Sequence, residues 1–238
     1  MDLIVLASGV GRRLKSVNKS IPKCLLQVQN KPILEHTSKI FKYFKNIYIV
    51  GGYKFSLLKK YKNKNVKLIY NKDFRKTNMV ESLFKVKNKN KKDIIIVYAD
   101  IIFDPKIIQS LKLKKNNVLP LKTNWLDIWK LRMNKKEIKE DAEDVIFDKQ
   151  KIISIGGKIR KFPRAQYMGI IKLKEKDFFK SMIFYKKLKN KKIDMTSFID
   201  LLIKNKILTF NYFLTKRFWY EFDTPEDVKK FKKIKIKF

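Results

Sequence analysis

The chain has 238 residues, with 58 Lys and Arg against 22 Asp and Glu, one His and one Cys, for a formal net charge of +36. That length and a hydrophobic content of 45% suit one domain with a substantial core, and exclude disorder, which needs low hydrophobicity as well as high charge. Single copies of Cys24 and His36 exclude a disulfide framework and a Cys/His zinc site, and argue against a Cys–His or Ser–His nucleophile pair.

Residues 2–7 form a mostly apolar run, the pattern of a strand buried on both faces, and Gly9 and Gly11 end it. Ile33 to Phe44 has helical spacing, and Ile47 to Val50 reads as a second buried strand closed by Gly51-Gly52. Leu57 to Tyr61 reads as helix, Val66 to Tyr70 as strand, Met79 to Val86 as helix and Asp93 to Ala99 as the strongest strand. This alternation predicts an α/β fold with a parallel sheet and crossover helices. After Asp100 the pattern changes to short strands with few helices between them, at Val118 to Leu121, Asp144 to Phe147, Ile152 to Ile155 and Tyr167 to Leu173. Asp104-Pro105 marks a turn and helix start. Asp177 to Lys189 and Thr196 to Lys204 then read as helices and Ile207 to Leu214 as a strand. A terminal helix over Asp227 to Lys233 starts from Thr224 as N-cap and Pro225 as first residue. The lysine-rich stretches 85–92 and 112–117 read as solvated loops.

No apolar run approaches the roughly 18–20 residues of a membrane span. Met1-Asp2 carries no basic leader, so a cytoplasmic protein without a membrane partner is expected. Only 7 of the 58 basic residues are Arg, and the lysines are scattered with Asn and Ile through every segment. A/T-rich coding explains that composition without a nucleic-acid partner, which would lean on Arg, so none is expected. A positive field still draws phosphorylated anions toward a cleft.

The turn after the first strand, Leu6-Ala7-Ser8-Gly9-Val10-Gly11-Arg12-Arg13-Leu14, has glycines that allow a close approach of backbone amides to phosphate oxygens. It fails the dinucleotide fingerprint, because Leu14 stands where a third Gly belongs, and it lacks the Gly-Lys-Ser/Thr of a P-loop. Arg13 and Lys23 supply cations for a polyanion, and Asp100 ends the strongest strand, where open α/β sheets place ligands. Two aspartates distant in sequence, Asp100 and Asp223, suit a Mg2+ that bridges phosphates. As plain structure the same residues read as a βα turn, a helix cap at Asp100 and a cap beside Thr224 at Asp223.

The blocks Leu6-Ala7-x-Gly9-x-Gly11-x-Arg13-Leu14, Pro22-Lys23-x-Leu25-Leu26 and Lys31-Pro32-Ile33-Leu34 resemble the opening of the nucleotidyltransferases, which make NDP-sugars, CDP-choline and related activated alcohols. The resemblance continues through Asn78-Met79-x-x-Ser82-Leu83, Tyr98-Ala99-Asp100, Trp125-x-x-x-Trp129-x-x-Arg132, Asp141-Ala142-Glu143, Gln166-Tyr167-Met168-Gly169, Asp194-Met195-Thr196-Ser197 and Trp219-x-Glu221-x-Asp223. It spans essentially the whole chain, and its later blocks are most similar to phosphocholine- and phosphonate-type cytidylyltransferases.

The resemblance implies a single Rossmann-like, glycosyltransferase-A-like domain whose mixed, mostly parallel sheet is flanked by helices. Residues 1–100 would form its nucleotide-binding half and 101–238 its acceptor-binding half. It implies transfer of CMP from CTP to a small phosphate or phosphonate, with release of pyrophosphate and with Mg2+ on Asp100 and Asp223. Lys23 would act at the α-phosphate, with Arg13 and the Gly9–Gly11 amides on the β- and γ-phosphates. Leu6, Ala7, Ser8, Gly9, Gly11, Arg12 and Ala99 would line the nucleotide, and Asn78 and Ser82, one helical turn apart, would select the base or ribose. The acceptor set would be Trp125, Trp129, Arg132, Asp141, Glu143, Gln166, Tyr167, Asp194 and Glu221. The two indoles read either as a cation–π wall for an ammonium or as core, and the acidic cluster Glu140, Asp141, Glu143, Asp144 as the receptor of an amine. Lys122, in a segment where such enzymes often carry an acid, would favour an anionic or zwitterionic acceptor. A sugar-1-phosphate transferase using UTP or dTTP is the alternative, and a catalytically silent nucleotide- or RNA-binding protein a more distant one. Acceptor identity and oligomeric state, a homodimer included, stay open.

Overall fold

The computed structural model describes residues 1–14, 16–17, 21–87 and 91–234. Strand β1 (Asp2–Ala7) is buried along its whole length. Leu3, Val5 and Ala7 enter one hydrophobic core and Ile4 and Leu6 the other, because successive strand residues face opposite sides of a sheet. A short ladder of β2 (Gln27–Val28) and β3 (Lys31–Pro32) leads into α1 (Ile33–Thr37). β4 (Ile47–Gly51), β5 (Val66–Tyr70) and β6 (Ile94–Tyr98) complete a parallel run in the order β5-β4-β1-β6, with α2 (Met79–Phe84) packed on β1 and β4.

After β7 (Ile101–Phe103) and α3 (Lys106–Lys112) the chain returns through β8 (Val118–Lys122), α4 (Trp125–Lys130), α5 (Lys135–Asp141), β9 (Glu143–Asp148), β10 (Lys151–Lys158), β11 (Gln166–Tyr167) and β12 (Ile170–Leu173). It ends with α6 (Glu175–Lys187), α7 (Met195–Lys204), β13 (Asn211–Thr215), β14 (Trp219–Glu221) and α8 (Pro225–Phe231). β12 joins β6 to β8 in antiparallel fashion, and β13 lies parallel to β8. Among the described residues the outcome is one mixed ten-stranded sheet with helices on both faces. On one face α3 and α4 bury Ile107, Leu111 and Trp125; on the other the Phe84 ring meets Phe178, Tyr185 and Phe198 at 5.3–5.8 Å, locking α2, α6 and α7 together.

Several expectations shift in detail. The helix expected over Ile33 to Phe44 is α1 followed by a 3-10 run, Ser38–Tyr43. Three helices, α3, α4 and α5, occupy the region expected to hold few. The run Tyr167 to Leu173 breaks at Gly169, whose φ of 70° separates β11 from β12. The strand expected from Ile207 starts only at Asn211, because the Ile207 and Leu208 amides still close the end of α7 on the Leu202 carbonyl. Lys85 caps α2 and pairs with Glu81 at 2.7 Å instead of opening a loop, and positions 88–90 lie outside the described residues. Asn117, expected in a solvated loop, is buried and bonded to Asp177 and the Thr209 carbonyl.

Gly169 is also a packing constraint: a Cβ there would stand 2.7 Å from Tyr98 Cδ2 and 3.0 Å from its Cγ. Positive φ and a rigid ring both oppose a side chain, so Gly169→Ala should destabilise the fold by about 1–3 kcal/mol. Thermal melting should show a fall of ~2–10 °C; an unchanged Tm would contradict the close approach.

Candidate active site

The site is assembled by a two-stranded ribbon outside the main sheet. β7 pairs antiparallel with β14, Ile101 opposite Glu221, and the Phe222 amide donates to the Asp100 carbonyl at 3.0 Å. That pairing sets Asp100, beyond the end of β6, beside Asp223, beyond the end of β14. The Asp223 and Thr224 amides both donate to Asp227 Oδ2 at 2.8 Å, within a capping box that starts α8. Asp227 in turn pairs with the buried Arg132 guanidinium at 3.2 Å.

Lys23 stands on a 3-10 turn, Lys23–Leu25, anchored by the buried Cys24 and Leu25. Its ammonium lies 2.7 Å from Asp100 Oδ2 and 2.6 Å from Asp223 Oδ1. Burial opposes the Lys23 charge, but the two carboxylates outweigh it and hold its pKa above the ordinary value. Burial likewise opposes the Asp223 carboxylate, and Lys23 and Arg13 hold it below the ordinary range. Asp100 Oδ1 is buried with no hydrogen-bond partner.

The glycine turn faces this centre. Ser8 donates to the Val50 carbonyl at 3.1 Å, Gly11 adopts φ 66°, and the space where Gly9 would carry a Cβ is open. The buried Leu14 ends one 3-10 turn and so directs Arg13 into the cleft. Arg12 and Arg13 are both exposed; Arg13 donates to Asp141 and forms an ion pair with Asp223, each at 3.1 Å.

Three hollows adjoin here. One, of about 120 Å3, is lined by Leu6, Ser8, Gly9, Asn78, Ser82 and Asp100, with Phe74, Thr77, Met79 and Tyr98. A small one, about 30 Å3, gathers Leu6, Ala7, Gly9, Lys23, Cys24, Ala99 and Asp100. The third, about 190 Å3, carries Arg13, Trp129, Asp141, Glu143, Gln166, Tyr167, Asp194, Glu221 and Asp223 among its lining. Asn78 is the N-cap of α2 and donates to the Lys192 carbonyl, and Ser82 accepts from Asn71. The sequence reading missed Phe74, Thr77, Met79 and Tyr98. Phe74 was legible only through Gly52, where a Cβ would fall 2.6 Å from Phe74 Cβ and 2.9 Å from the Ser8 carbonyl.

The third hollow is acidic, with five carboxylates and Arg13 in its lining. Asp194 caps α7 through the Ser197 amide; burial opposes its charge, but the Ser197 and Thr196 hydrogen bonds hold its pKa down. The Thr196 hydroxyl lies 2.7 Å from Glu143 Oε1 and 2.9 Å from Asp194 Oδ1. Burial pushes the Glu143 carboxyl up, and burial together with Asp223 pushes Glu221 well up. The Gln166 amide, oriented with its nitrogen toward the Glu143 carbonyl at 3.1 Å, braces β9.

Four expectations are corrected. Trp125 is core, not pocket wall: it is 1% exposed and donates Nε1 to the Pro163 carbonyl. Arg132 is buried rather than offered to an acceptor; it stacks 5.0 Å from Trp129, so the protein's own cation takes that indole face, and it donates to the Glu221 carbonyl at 2.6 Å. Lys122 is buried and donates to the Lys216 and Arg217 carbonyls, with its pKa pushed down to about 8 by burial, so it does not meet the acceptor. Of the acidic cluster only Asp141 and Glu143 face the hollow; Glu140 lines a separate surface hollow among Lys135, Lys136 and Lys139.

A glycine turn, a lysine and two carboxylates thus meet beyond the C-terminal end of the parallel run, the place where open α/β sheets bind their ligands. Residues 3–116 match the MobA-like NTP transferase domain. The chain is 32% identical to the CTP:phosphoglutamine cytidylyltransferase of Campylobacter jejuni, over 86% of this chain and 88% of that protein. It is 34% identical to the choline-phosphate cytidylyltransferase of Haemophilus influenzae over 45% of this chain and 47% of that one. Its fold matches the inositol-1-phosphate CTP transferase of T. maritima with a TM-score of 0.76 at 18% identity, over 98% of this chain and 95% of that one. The chain belongs to the nucleotidyltransferase family. Among the described residues no helix is long and apolar enough to cross a membrane.

The raised Glu221 carboxyl gives a pH test. Its charged form is disfavoured by folding, so the penalty appears as pH rises above the ordinary value of 4.5. Glu221→Gln should therefore melt higher than the parent at pH 8, and the gap should close at pH 4; a gap independent of pH would refute the assignment.

Proposed function

We propose that the protein transfers CMP from CTP to a small phosphate or phosphonate that carries an ammonium group, with release of pyrophosphate. The observation that carries this reading is the meeting of Lys23, Asp100 and Asp223 at one point beneath the glycine turn, in a chain 32% identical to a cytidylyltransferase. The 120 Å3 hollow would take the nucleoside, with Asn78 and Ser82 at the base or ribose, and the acidic 190 Å3 hollow the acceptor. An acceptor oxygen attacks the α-phosphorus, the bond to the β-phosphate oxygen breaks, and the electron pair leaves with pyrophosphate. Lys23 orients the α-phosphate and the attacking oxygen and offsets their charge; Arg13 and the amides of Gly9 and Gly11 hold the departing phosphates.

Asp100 and Asp223 fit Mg2+: both are hard oxygen donors, and Asp100 keeps a buried oxygen without a partner. Among the described residues no three His, Cys, Asp or Glu gather at one point, which suits an ion whose other ligands are phosphates and water. Bound there, Mg2+ would add positive charge beside the α-phosphate.

Five carboxylates around the acceptor hollow favour an ammonium-bearing acceptor, such as phosphocholine, 2-aminoethylphosphonate or a phosphorylated glutamine. A pyrophosphate-release screen with CTP, UTP, dTTP and ATP against these acceptors and against sugar-1-phosphates tests the reading. CTP with an aminated acceptor should dominate; a preference for UTP or dTTP with a sugar-1-phosphate overturns it. Lys23→Met, Asp100→Asn and Asp223→Asn should each lower kcat by ~10²–10³.

Asp194→Asn keeps the α7 cap, since Asn caps as well as Asp, but removes a charge from the hollow. It should raise KM for an aminated acceptor about tenfold with little change in kcat, as expected for a charged hydrogen bond. Equal KM values in the two proteins would remove Asp194 from the acceptor site.

A further inference from the structure

The cations and the carboxylates of the site neutralise one another. Lys23 spends two of its three N–H donors on Asp100 and Asp223. Arg13 donates NH1 to Asp141 and holds its other terminal nitrogen 3.1 Å from the same Asp223 oxygen, so Asp223 Oδ1 accepts from Lys23 and forms an ion pair with Arg13. The Lys23 and Asp223 side chains are each only 14% exposed, so their charges are not free to find water instead. Yet the pairing leaves one acceptor unsatisfied, because Asp100 Oδ1 is buried without a partner. The lysine covers the carboxylates incompletely, as an exchangeable occupant would.

This geometry has a consequence for binding. A divalent cation between Asp100 and Asp223 would fall where the Lys23 ammonium lies, two like charges in one partly dry site. A triphosphate that drew Lys23 and Arg13 away would leave two partly buried carboxylates facing each other. Either ligand alone strands a charge, which is the costly outcome for buried ion pairs. Both together exchange partners completely: cations to phosphate, carboxylates to metal.

We propose that Lys23 and Arg13 form an ion-exchange lock on Asp100 and Asp223, so that metal and nucleotide are admitted as one unit and each alone is held off. The inference rests on the nucleotide and metal reading given above. Arg13 extends the lock across the cleft to Asp141, at the end of α5 on the acceptor side, so nucleotide entry also releases an acceptor-pocket carboxylate.

Binding measured without turnover tests the lock. Electron paramagnetic resonance reads Mn2+ affinity with no nucleotide present, and calorimetry reads CTP affinity in EDTA. By the reciprocity of coupled sites, removing one competitor should tighten the other's ligand, on the order of tenfold. Lys23→Met should bind Mn2+ more tightly than the parent, although it loses activity. Asp223→Asn should bind metal-free CTP more tightly than the parent, although it loses a metal ligand. If Lys23→Met binds Mn2+ no better, or Asp223→Asn binds metal-free CTP no better, the lock is refuted; where Lys23→Met does not fold, the Asp223→Asn arm decides alone. A parent protein that releases pyrophosphate from CTP but fails these arms has the function without the lock. One that binds no CTP even with Mg2+ refutes both.

Discussion

Lys23 bonds one carboxylate 77 residues away and another 200 residues away, and every other feature of the site is arranged around that meeting. The contact cannot form from the main sheet alone. It needs β7 to leave the sheet and take β14 as a partner, so that two strand ends deliver Asp100 and Asp223 to the same place. The ribbon is secured from below by a third core, in which Ile102, Tyr220 and Phe222 pack on Val228 and Phe231 of α8 and on Leu14 and Leu26 of the glycine-turn side. Apolar burial thereby fixes the relative positions of charges that would otherwise repel or hydrate.

Charge is distributed against the average of the chain. A protein of net charge +36 with only 22 acidic residues places five of them around one hollow. The basic exterior draws polyanions toward the cleft, and the acidic hollow lies behind it. The ion pairs of the site cross residue 100. Asp223 belongs to the second half by sequence but meets Lys23 of the first, and Arg13 of the first half reaches Asp141 of the second.

Much of this was legible because local rules and tertiary structure agree. The buried apolar run of β1, the glycine turn and the Thr224–Pro225 start of α8 each carry their signal within a few residues, and each is present. What failed was side-chain direction. Trp125 and Trp129 stand one turn apart, which fixes a shared helix face but not whether that face meets a cleft or the core. Lys122 looked like a charge facing a ligand, yet two carbonyls from the segment after β13 claim it. Phe74 and Thr77 escaped because loop residues that converge on a hollow have no periodicity to betray them.

The residue types that usually carry nucleophilic or proton-transfer chemistry are occupied elsewhere. His36 is buried with Nε2 2.9 Å from the Val28 carbonyl, so it braces the turn before α1. Cys24 adjoins Lys23 in sequence and lines the small hollow, but burial and the Asp100 charge push its thiol to about 12, leaving it protonated and inert at neutral pH. Transfer at a phosphorus asks for neither group. It asks for two oxygens in line and for positive charge that is already in place when the transition state forms. A chain rich in lysine and poor in histidine can meet that demand if its folding holds a few cations still. Here the buried turn at Cys24 and Leu25 holds Lys23, and the buried Leu14 holds Arg13.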